Sequence, residues 1–455
     1  MKSSIRIASA SGFWGDLPRA PVDQVTKGSI DYLVMDYLAE VTMSILQKQR
    51  MRNPDHGYAL DFVHVIDQIL EYITARGVRV ISNAGGVHPE ACKEAILTLV
   101  KERGYEDISV AVVDGDDILG KIDALVEGGH QLENIDTGEP ITSVRDQLTS
   151  ANVYLGSRPI VEALDQGADI VITGRVFDAG LILGPMIHEF GWDFDDYDRI
   201  ASGIVAGHII ECGAQASGGN FTDWQEVKDF VNIGFPIVEA FPDGTFAVTK
   251  HEGTGGLINQ MTVKEQLVYE IADPSAYLTP DGVADFTTLQ LQQSGPDRVR
   301  VFNIKGKPPP RSYKVSASYK AGYKITSTLV YSWPRALGKA QKAADILQGR
   351  AEQLGLELGK WKAEYIGYNG CSENPVTQEA LEREFEEIQL RISVSGMNRE
   401  VLDRFGKEVI PLVLTGPGGV TGYAAGRPKA AEIVAYWPAL LDKSAVEPRM
   451  RLFTI

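Results

Sequence analysis

Ala168–Gly180 read ADIVITGRVFDAG, and this stretch decides the expected fold because an apolar run ends at a polar turn. Ile170–Thr173 has the continuous apolar character of a parallel strand that is buried on both faces. The turn that follows carries Arg175 and Asp178. In open α/β sheets, ligands bind beside the carboxyl ends of such strands. The sequence therefore predicts an α/β sheet with a polar site at this strand end.

The first half of the chain repeats this pattern of strand and helix. Short apolar runs predict further strands at Ile5–Ala10, Asp31–Tyr37, Val78–Ile81, Ile108–Val113 and Val153–Leu155. Helical patterns lie between them and end at glycines, as helices commonly do. Residues 1–225 are therefore predicted to form an α/β domain with a mainly parallel sheet, either doubly wound or an incomplete barrel.

A different architecture is predicted after about residue 225. Ile237–Thr249 surrounds Pro-Asp-Gly, a hairpin signature, and Lys314–Trp333 alternates with a period of two. Residues 226–455 are therefore predicted to form an α+β domain with an antiparallel sheet. This domain would contribute two glycine-rich loops, KHEGTGG at Lys250–Gly256 and TGPGG at Thr415–Gly419.

Composition restricts the class of protein. The chain has 455 residues, 44% apolar residues and a formal net charge of −17, as in a soluble globular protein of two or three domains. The negative charge disfavours nucleic acid and anionic membranes as partners, because both require a basic surface. The sequence contains no secretory signal and no uninterrupted apolar run of membrane length. We therefore expect a cytoplasmic protein with no membrane partner, and also a homo-oligomer.

Glycine-rich loops are candidate anion sites, because glycine lets backbone amides approach a phosphate or carboxylate closely. None matches a P-loop, and none gives a dinucleotide fingerprint after a strand, so neither a nucleotide site of that kind nor NAD is expected. The alternative is that they are tight turns of the scaffold. The candidate substrate-binding residues in these loops are Gly85, Gly86, Gly218, Gly219, Asn220, Gly255 and Gly256.

Seven histidines are present, and position separates the candidates among them. His88 follows a strand end and His251 lies among glycines, so both are candidate catalytic bases. His208 and Glu211 are three residues apart in a helical pattern and share one face, where they could relay a proton or bind a metal. For each histidine the alternative is a structural, hydrogen-bonded side chain.

The acidic turn DGDD follows another predicted strand. Asp114 and Asp116 belong to it, and neighbouring carboxylates could bind a divalent cation or raise each other's pKa. The competing interpretation is a turn and helix cap, which suits Asp116 better than Asp114. The candidate metal ligands are Asp114, Asp116, His208 and Glu211, and the cofactor that these residues suggest is a divalent metal.

Arg175 and Asp178 allow two interpretations. The guanidinium could anchor a carboxylate or phosphate with Asp178 beside it, or the two could form an internal ion pair that fixes the turn. Cys212 is likewise either a nucleophile next to a base or a small buried side chain. The chain has three cysteines at irregular spacing, which is not typical of a disulfide framework or a structural zinc site.

The chain resembles the acyclic terpene utilisation (AtuA-like) family. The motifs that carry the resemblance span residues 5–425 in order: SASGFWGD, DYLVMDYLAEVTM, SNAGGVHPEAC, VAVVDGDD, YLGSRPIVEAL, DIVITGRVFDAG, GHIIECGAQASGGN, KHEGTGG and TGPGG. The resemblance implies a place in a bacterial pathway that degrades terpenes through CoA thioesters. Many relatives carry or are encoded beside a small ferredoxin-like module, so we expect such a module here as a separate partner subunit.

Together these observations suggest a hydro-lyase or carbon–carbon lyase acting on a branched short-chain hydroxy acid or its CoA thioester. Such chemistry requires a positioned acid and base and donors for a developing anion. The expected roles are base for His88 or His251, anchor for Arg175, and acid or metal partner for Asp114 and Glu211. Two alternatives remain open: a hydrolase or acyl-transferase with Cys212 as nucleophile, and a non-catalytic or partner-dependent subunit.

Overall fold

The structure is a computed structural model that describes residues 2–371, 383–422 and 426–454. The strands are β1 Ile5–Ser11, β2 Tyr32–Met35, β3 Arg79–Ser82, β4 Ser109–Asp114, β5 Leu148–Val153, β6 Ile170–Thr173, β7 Ile237–Ala240, β8 Phe246–Thr249, β9 Tyr277–Leu278, β10 Val283–Asp285, β11 Gln290–Gly295, β12 Arg298–Phe302, β13 Lys305–Lys307, β14 Ser312–Ser332, β15 Trp361–Ile366, β16 Glu387–Gly396, β17 Val420–Thr421, β18 Ala431–Asp442 and β19 Arg449–Thr454. The helices are α1 Ala20–Thr26, α2 Glu40–Arg52, α3 Leu60–Arg76, α4 Pro89–Glu102, α5 Ile122–Glu127, α6 Arg158–Asp165, α7 Gly180–Phe190, α8 Tyr197–Ile210, α9 Gln260–Val268, α10 Ala336–Gln353, α11 Arg399–Val409 and α12 Leu412–Thr415.

The chain divides into two compact units. The first comprises Met1–Ser318 and Tyr436–Ile455, and the second comprises Tyr319–Ala435. The chain passes between the units within β14 and again within β18. The boundary predicted between residues 225 and 226 falls inside the first unit, which also contains every candidate site residue.

The first unit is built on a mixed sheet. Within the described residues, ten strands form it in the order β11-β12-β8-β7-β1-β2-β3-β6-β4-β19. The central strands β1, β2, β3, β6 and β4 run parallel to one another. At the two sides of this group, β7 pairs antiparallel with β1 and β19 pairs antiparallel with β4. The expectation of a mixed α/β protein with parallel and antiparallel strands is confirmed. The predicted division into a parallel N-terminal half and an antiparallel C-terminal half is not confirmed, because strands from both halves share this sheet. The doubly wound sheet and the incomplete barrel are not confirmed either.

The central strands are covered on both faces. All four residues of β2 and all four of β6 are buried, and successive residues of a strand point to opposite faces. Leu33 and Met35 of β2 pack with Ile66 and Ile69 of α3 in one apolar cluster. The continuous apolar runs of the sequence therefore predict these strands correctly, because both faces of each strand are buried.

The second unit has an antiparallel sheet in the order β15-β16-β14-β17. Leu329 of β14 pairs with Leu390 of β16, which in turn pairs with Tyr365 of β15. Buried alanines of α10, among them Ala340 and Ala344, pack in the same cluster as these strand residues. The alternation that predicts a strand in residues 314–333 is confirmed by β14.

Candidate functional site

The carboxyl ends of the parallel strands bring polar side chains together. Asp36 follows β2, Asn83 follows β3, and Arg175 follows β6 by two residues. These strands are neighbours in the sheet, so their carboxyl ends lie at one edge. We call Asp36, Asn83, Arg175 and Asp178 the carboxyl-edge cluster.

Asp36 is a buried carboxyl group, with 5% of its surface exposed. Its Oδ1 accepts a hydrogen bond of 2.6 Å from Nδ2 of Asn83 and one of 2.9 Å from the backbone N–H of Leu38. Burial raises the pKa of Asp36 and the nearby charge of Glu211 adds to this, while Arg175 and the two hydrogen bonds oppose it. The net direction is upward, so Asp36 retains its proton to a higher pH than an exposed aspartate does.

Arg175 is held in a fixed orientation although it is 2% exposed. Its Nη1 donates to the carbonyl oxygen of Leu38 at 2.6 Å, and its Nη2 donates to Oδ1 of Asp178 at 2.7 Å. The guanidinium carbon lies 4.1 Å from the ring centroid of Tyr154, a stacking distance. The internal Arg175–Asp178 pair is therefore present, and it fixes the guanidinium next to Asp36.

Asp116 lies buried beneath the turn that carries Arg175. Its Oδ2 accepts hydrogen bonds from Nδ2 of Asn152 at 2.8 Å and from the backbone N–H of Arg175 at 2.9 Å. A Cβ atom on Gly174 would lie 2.3 Å from its Oδ1, so the carboxyl group can approach only because residue 174 is glycine. Burial raises the pKa of Asp116 to about 7. Asp116 thus positions the backbone of Arg175.

Asp114 lies in a different environment from Asp116. It is the last residue of β4, and its carboxylate forms ion pairs with Arg449, at 2.9 Å, and with Arg451 of β19. These arginines face it because β19 pairs antiparallel with β4. Asp114 therefore contributes to holding the edge strand, and within the described residues it makes no hydrogen bond to the carboxyl-edge cluster.

His208 and Glu211 form a pair at the end of α8. Nδ1 of His208 lies 3.0 Å from Oε1 of Glu211, and its Nε2 lies 3.0 Å from the carbonyl oxygen of Gln266. A carbonyl oxygen only accepts, so Nε2 carries a proton. The contact with Glu211 joins the imidazole to a carboxyl group, so the two side chains can relay a proton.

Electrostatics connects this pair to the carboxyl-edge cluster. The charge of Glu211 raises the pKa values of Asp36 and Tyr277. Oε2 of Glu211 is buried and has no hydrogen-bond partner among the described residues. The His208–Glu211 pair and a carboxyl group of raised pKa thus lie within electrostatic reach of each other.

Cys212 follows Glu211 and is not activated. Burial and the charge of Glu211 raise the pKa of its thiol to about 12, against a smaller lowering by a hydrogen bond from Gln266. Such a thiol is protonated at neutral pH and lacks the thiolate that a cysteine nucleophile requires. A Cβ atom on Gly12 would lie 2.6 Å from the carbonyl carbon of Cys212, so the N-terminal glycine loop packs directly against this backbone.

The structure places His88 and His251 elsewhere. His88 precedes α4, and burial and the charge of Arg50 lower the pKa of its imidazole. Nε2 of His251 lies 2.8 Å from the carbonyl oxygen of Gln24. No hydrogen bond within the described residues joins either ring to the carboxyl-edge cluster. Their proposed roles as bases therefore gain no support from this arrangement.

The candidate glycines lie in tightly packed turns. A Cβ atom on Gly85 would lie 2.6 Å from the carbonyl oxygen of Thr173, and one on Gly256 would lie 2.6 Å from that of Ser217. Gly86, Gly218, Asn220 and Gly256 have positive φ, while Gly219 and Gly255 have no room for a side chain. Backbone packing accounts for these positions, and their role in binding substrate stays a prediction.

The candidate metal ligands do not converge on one point. Asp114 faces Arg449, Asp116 faces Asn152, and His208 pairs with Glu211. In the part of the chain that the structure describes, no group of three or more His, Cys, Asp or Glu side chains is placed to bind a metal ion.

Sequence reasoning missed Asp36, Asn83 and Gln266. The signal for Asp36 and Asn83 was the one that identified Arg175, namely a polar residue directly after a buried apolar run. Gln266 had no local signal, because its role depends on α9 packing against α8.

No curated protein and no solved structure matches this chain. Among the described residues, no helix combines the length and the apolar character needed to cross a membrane. A family model, that of the acyclic terpene utilisation family protein AtuA, matches residues 5–452. The chain therefore belongs to the acyclic terpene utilisation family.

Proposed function

We propose that this protein is a lyase of acyclic terpene catabolism that works by acid–base catalysis at the carboxyl-edge cluster. Its substrate would be a branched short-chain hydroxy acid or the corresponding CoA thioester, from which it removes water or cleaves a carbon–carbon bond. The observation that carries the proposal is the buried carboxyl group of Asp36, whose pKa is raised while it lies beside Arg175 and Asn83.

Asp36 is the proposed general acid. Proton transfer is most efficient when the pKa of the catalytic group lies near the working pH, and burial moves this carboxyl group in that direction. Protonated Asp36 could donate to the leaving hydroxyl group. The His208–Glu211 pair could accept the proton that leaves the carbon next to the carboxylate or thioester and relay a proton back to Asp36, so that the substrate loses one water and the protein regains its starting protonation.

Arg175 is the proposed stabiliser of negative charge. Eliminations next to a carboxylate or thioester develop charge on an oxygen, and fixed cationic donors stabilise such charge most effectively. The bonds to Leu38 and Asp178 fix the guanidinium in advance. About one third of the Asp178 side chain is exposed, so the carboxyl-edge cluster reaches solvent at Asp178.

The two alternatives differ in support. A hydrolase or acyl-transferase that depends on Cys212 is disfavoured by the raised pKa of the thiol. A partner-dependent subunit that works with a small ferredoxin-like chain stays a proposal from the family resemblance. A cytoplasmic location, a homo-oligomer and a bound divalent metal also stay proposals, as do His88 and His251 as bases.

The test is a turnover screen on the purified chain. Branched 3-hydroxy acids and their CoA thioesters would be incubated with it in deuterated water, and loss of water, chain cleavage and deuterium uptake would be followed by mass spectrometry. Turnover by the wild type that Asp36→Asn lowers by about a hundredfold or more would support the proposal. Asp117→Asn is the matched control, because Asp117 is an exposed carboxylate of the DGDD turn.

Two results would sink the proposal. Full turnover by a folded Asp36→Asn variant would remove Asp36 from the reaction. No turnover or deuterium uptake by the wild type, followed by activity once a ferredoxin-like partner is added, would favour the subunit alternative.

A further inference from the structure

A polar cavity lies apart from the carboxyl-edge cluster. It has a volume of about 640 Å³, and Arg6, Lys27, Lys250, His251 and Arg298 contribute to its wall. None of the residues that line it belongs to the carboxyl-edge cluster or to the His208–Glu211 pair. We call it the Arg6 cavity.

Positive charge is concentrated at this cavity. Four cationic side chains and two carboxylates, Glu252 and Asp297, line it, although the chain as a whole has a net charge of −17. A cation in such a cleft attracts small anions locally where no carboxylate already neutralises it, because field lines are focused in clefts.

Three of the cations already have carboxylate partners. Lys250 pairs with Asp297 at 3.0 Å, Lys27 with Asp23 at 3.1 Å, and Arg298 with Glu239 at 2.8 Å. Each of these three cations is therefore already neutralised by a carboxylate. The fourth cation is Arg6.

Arg6 is the exception. Its guanidinium forms no ion pair within the described residues, and its Nε is buried without a hydrogen-bond partner there. Glu239 lies opposite Arg6 in the β1–β7 register but is bound to Arg298. Asp31 accepts the backbone N–H of Arg6 and pairs with Lys2. The guanidinium of Arg6 therefore presents N–H donors for which the described residues supply no acceptor.

The rest of the wall is preorganised. Lys250 is 5% exposed at its side chain, and its Nζ donates to the carbonyl oxygen of Thr254 at 2.9 Å. The ring of His251 fits against Gly28, where a Cβ atom would lie 2.3 Å from Nδ1. Burial together with the charges of Arg6 and Lys27 lowers the pKa of His251, so its Nδ1 is an acceptor at neutral pH while Nε2 donates to Gln24.

We infer that the Arg6 cavity binds the phosphate group of a small-molecule ligand. A planar guanidinium matches the oxygens of phosphate in a two-point contact, and Arg6 is the donor left without an acceptor. The volume falls within the range of small-molecule sites and leaves room for more than a lone phosphate ion. The inference is independent of the proposed function, because it requires neither turnover nor Asp36.

Binding would be measured by calorimetric titration of the full chain with three probes: inorganic phosphate, glycerol 3-phosphate and glycerol. The expected result is binding of the phosphate monoester and none of glycerol. Binding of inorganic phosphate with equal affinity would assign the site to free phosphate, and weaker binding would assign it to the ester; both support the inference. Arg6→Gln should weaken binding by about tenfold or more, because one charge-assisted two-point contact is lost.

Controls make the titration decisive. Arg300→Gln removes an exposed arginine of β12 that lies outside the lining and should bind like the wild type. Should Arg6→Gln fail to fold, Lys27→Gln at the partly exposed end of α1 is expected to weaken binding as well. No binding of either phosphate probe by the wild type would overturn the inference, and so would unchanged binding by folded Arg6→Gln.

Discussion

Asn83 donates a hydrogen bond of 2.6 Å from its Nδ2 to Oδ1 of Asp36, while its own Oδ1 accepts the backbone N–H of Tyr37 at 2.7 Å. One amide side chain thus ties the end of β3 to the end of β2 by two bonds. Both bonds are buried, where an unsatisfied polar group is costly. Asn83 therefore orients the carboxyl group of Asp36 and at the same time holds the backbone on which it stands.

Replacing Asn83 with alanine should destabilise the protein. The change leaves the N–H of Tyr37 without its acceptor and Asp36 without a donor, so the free energy of unfolding should fall by about 2–4 kcal/mol. Urea denaturation would measure it. Asn53→Ala, which removes a half-buried amide whose Oδ1 accepts the exposed N–H of Asp55, should change stability by less than about 0.5 kcal/mol. Equal stability of the two variants would show that the Asn83 bonds contribute nothing net.

Asp116 should make stability depend on pH. Burial raises its pKa from 3.8 to about 7 in the folded state, so its contribution is fully present below about pH 4 and is lost as the pH rises through about 7. Asn can accept the same two hydrogen bonds without a charge. Asp116→Asn should therefore become more stable than the wild type as the pH rises, by up to about 4 kcal/mol.

Urea unfolding at about pH 5 and about pH 8.5 would test this, with both proteins compared at each pH. Asp136→Asn is the control, because Asp136 is exposed and is not among the groups that shift the pKa of Asp116, so it should leave the pH dependence of the wild type unchanged. A parallel pH dependence in wild type and Asp116→Asn would show that Asp116 is not protonated in the folded protein.

Gly174 should not tolerate alanine. The added Cβ would lie 2.3 Å from Oδ1 of Asp116, so either the carboxyl group or the turn bearing Arg175 must shift, at a cost of about 1–3 kcal/mol. Gly120→Ala is a suitable comparison, because a Cβ atom there meets nothing within 4 Å. Gly174→Ala should unfold at a clearly lower temperature than Gly120→Ala. The opposite order of unfolding temperatures would contradict the packing described for Asp116.

The three cysteines should react with iodoacetamide at very different rates. Cys371 is exposed. Burial raises the pKa of Cys92, and burial together with Glu211 raises that of Cys212 to about 12. Because the thiolate is the reactive form, Cys371 should be alkylated first at neutral pH, with Cys212 and Cys92 protected until unfolding. Peptide mapping by mass spectrometry would show this, and alkylation of Cys212 as fast as Cys371 would revive the nucleophile hypothesis.

Whether a feature could be predicted from the sequence depends on how far apart along the chain its interacting residues lie. Continuous apolar runs such as Ile170–Thr173 are a local signal, so the strands and the polar turn at Arg175 could be predicted. Asp36 meets Arg175 only because β2, β3 and β6 are consecutive in the sheet, an order that no local pattern encodes. Asp114 shows the same dependence on long-range pairing, since its partner Arg449 is 335 residues away. A strand end thus predicts where a site lies, but its members depend on strand order and on long-range pairing.

Glu211→Gln should shift the proton affinity of Asp36. The charge of Glu211 is one of the causes that raise the pKa of Asp36, so a neutral glutamine should lower it. The glutamine amide can still donate to Nδ1 of His208, while Nε2 donates to the carbonyl oxygen of Gln266. Since the hydrogen bond is kept, the change isolates the charge from the packing.

Difference infrared spectroscopy would measure the shift, with the protonated carboxyl band of Asp36 assigned by its absence in Asp36→Asn. The band should disappear at a lower pH in Glu211→Gln than in the wild type. Glu265→Gln, at a carboxylate that accepts the exposed N–H of Thr222, should leave the titration unchanged. An unchanged titration in Glu211→Gln would separate the His208–Glu211 pair from Asp36, and the proposed return of the proton would then need another group.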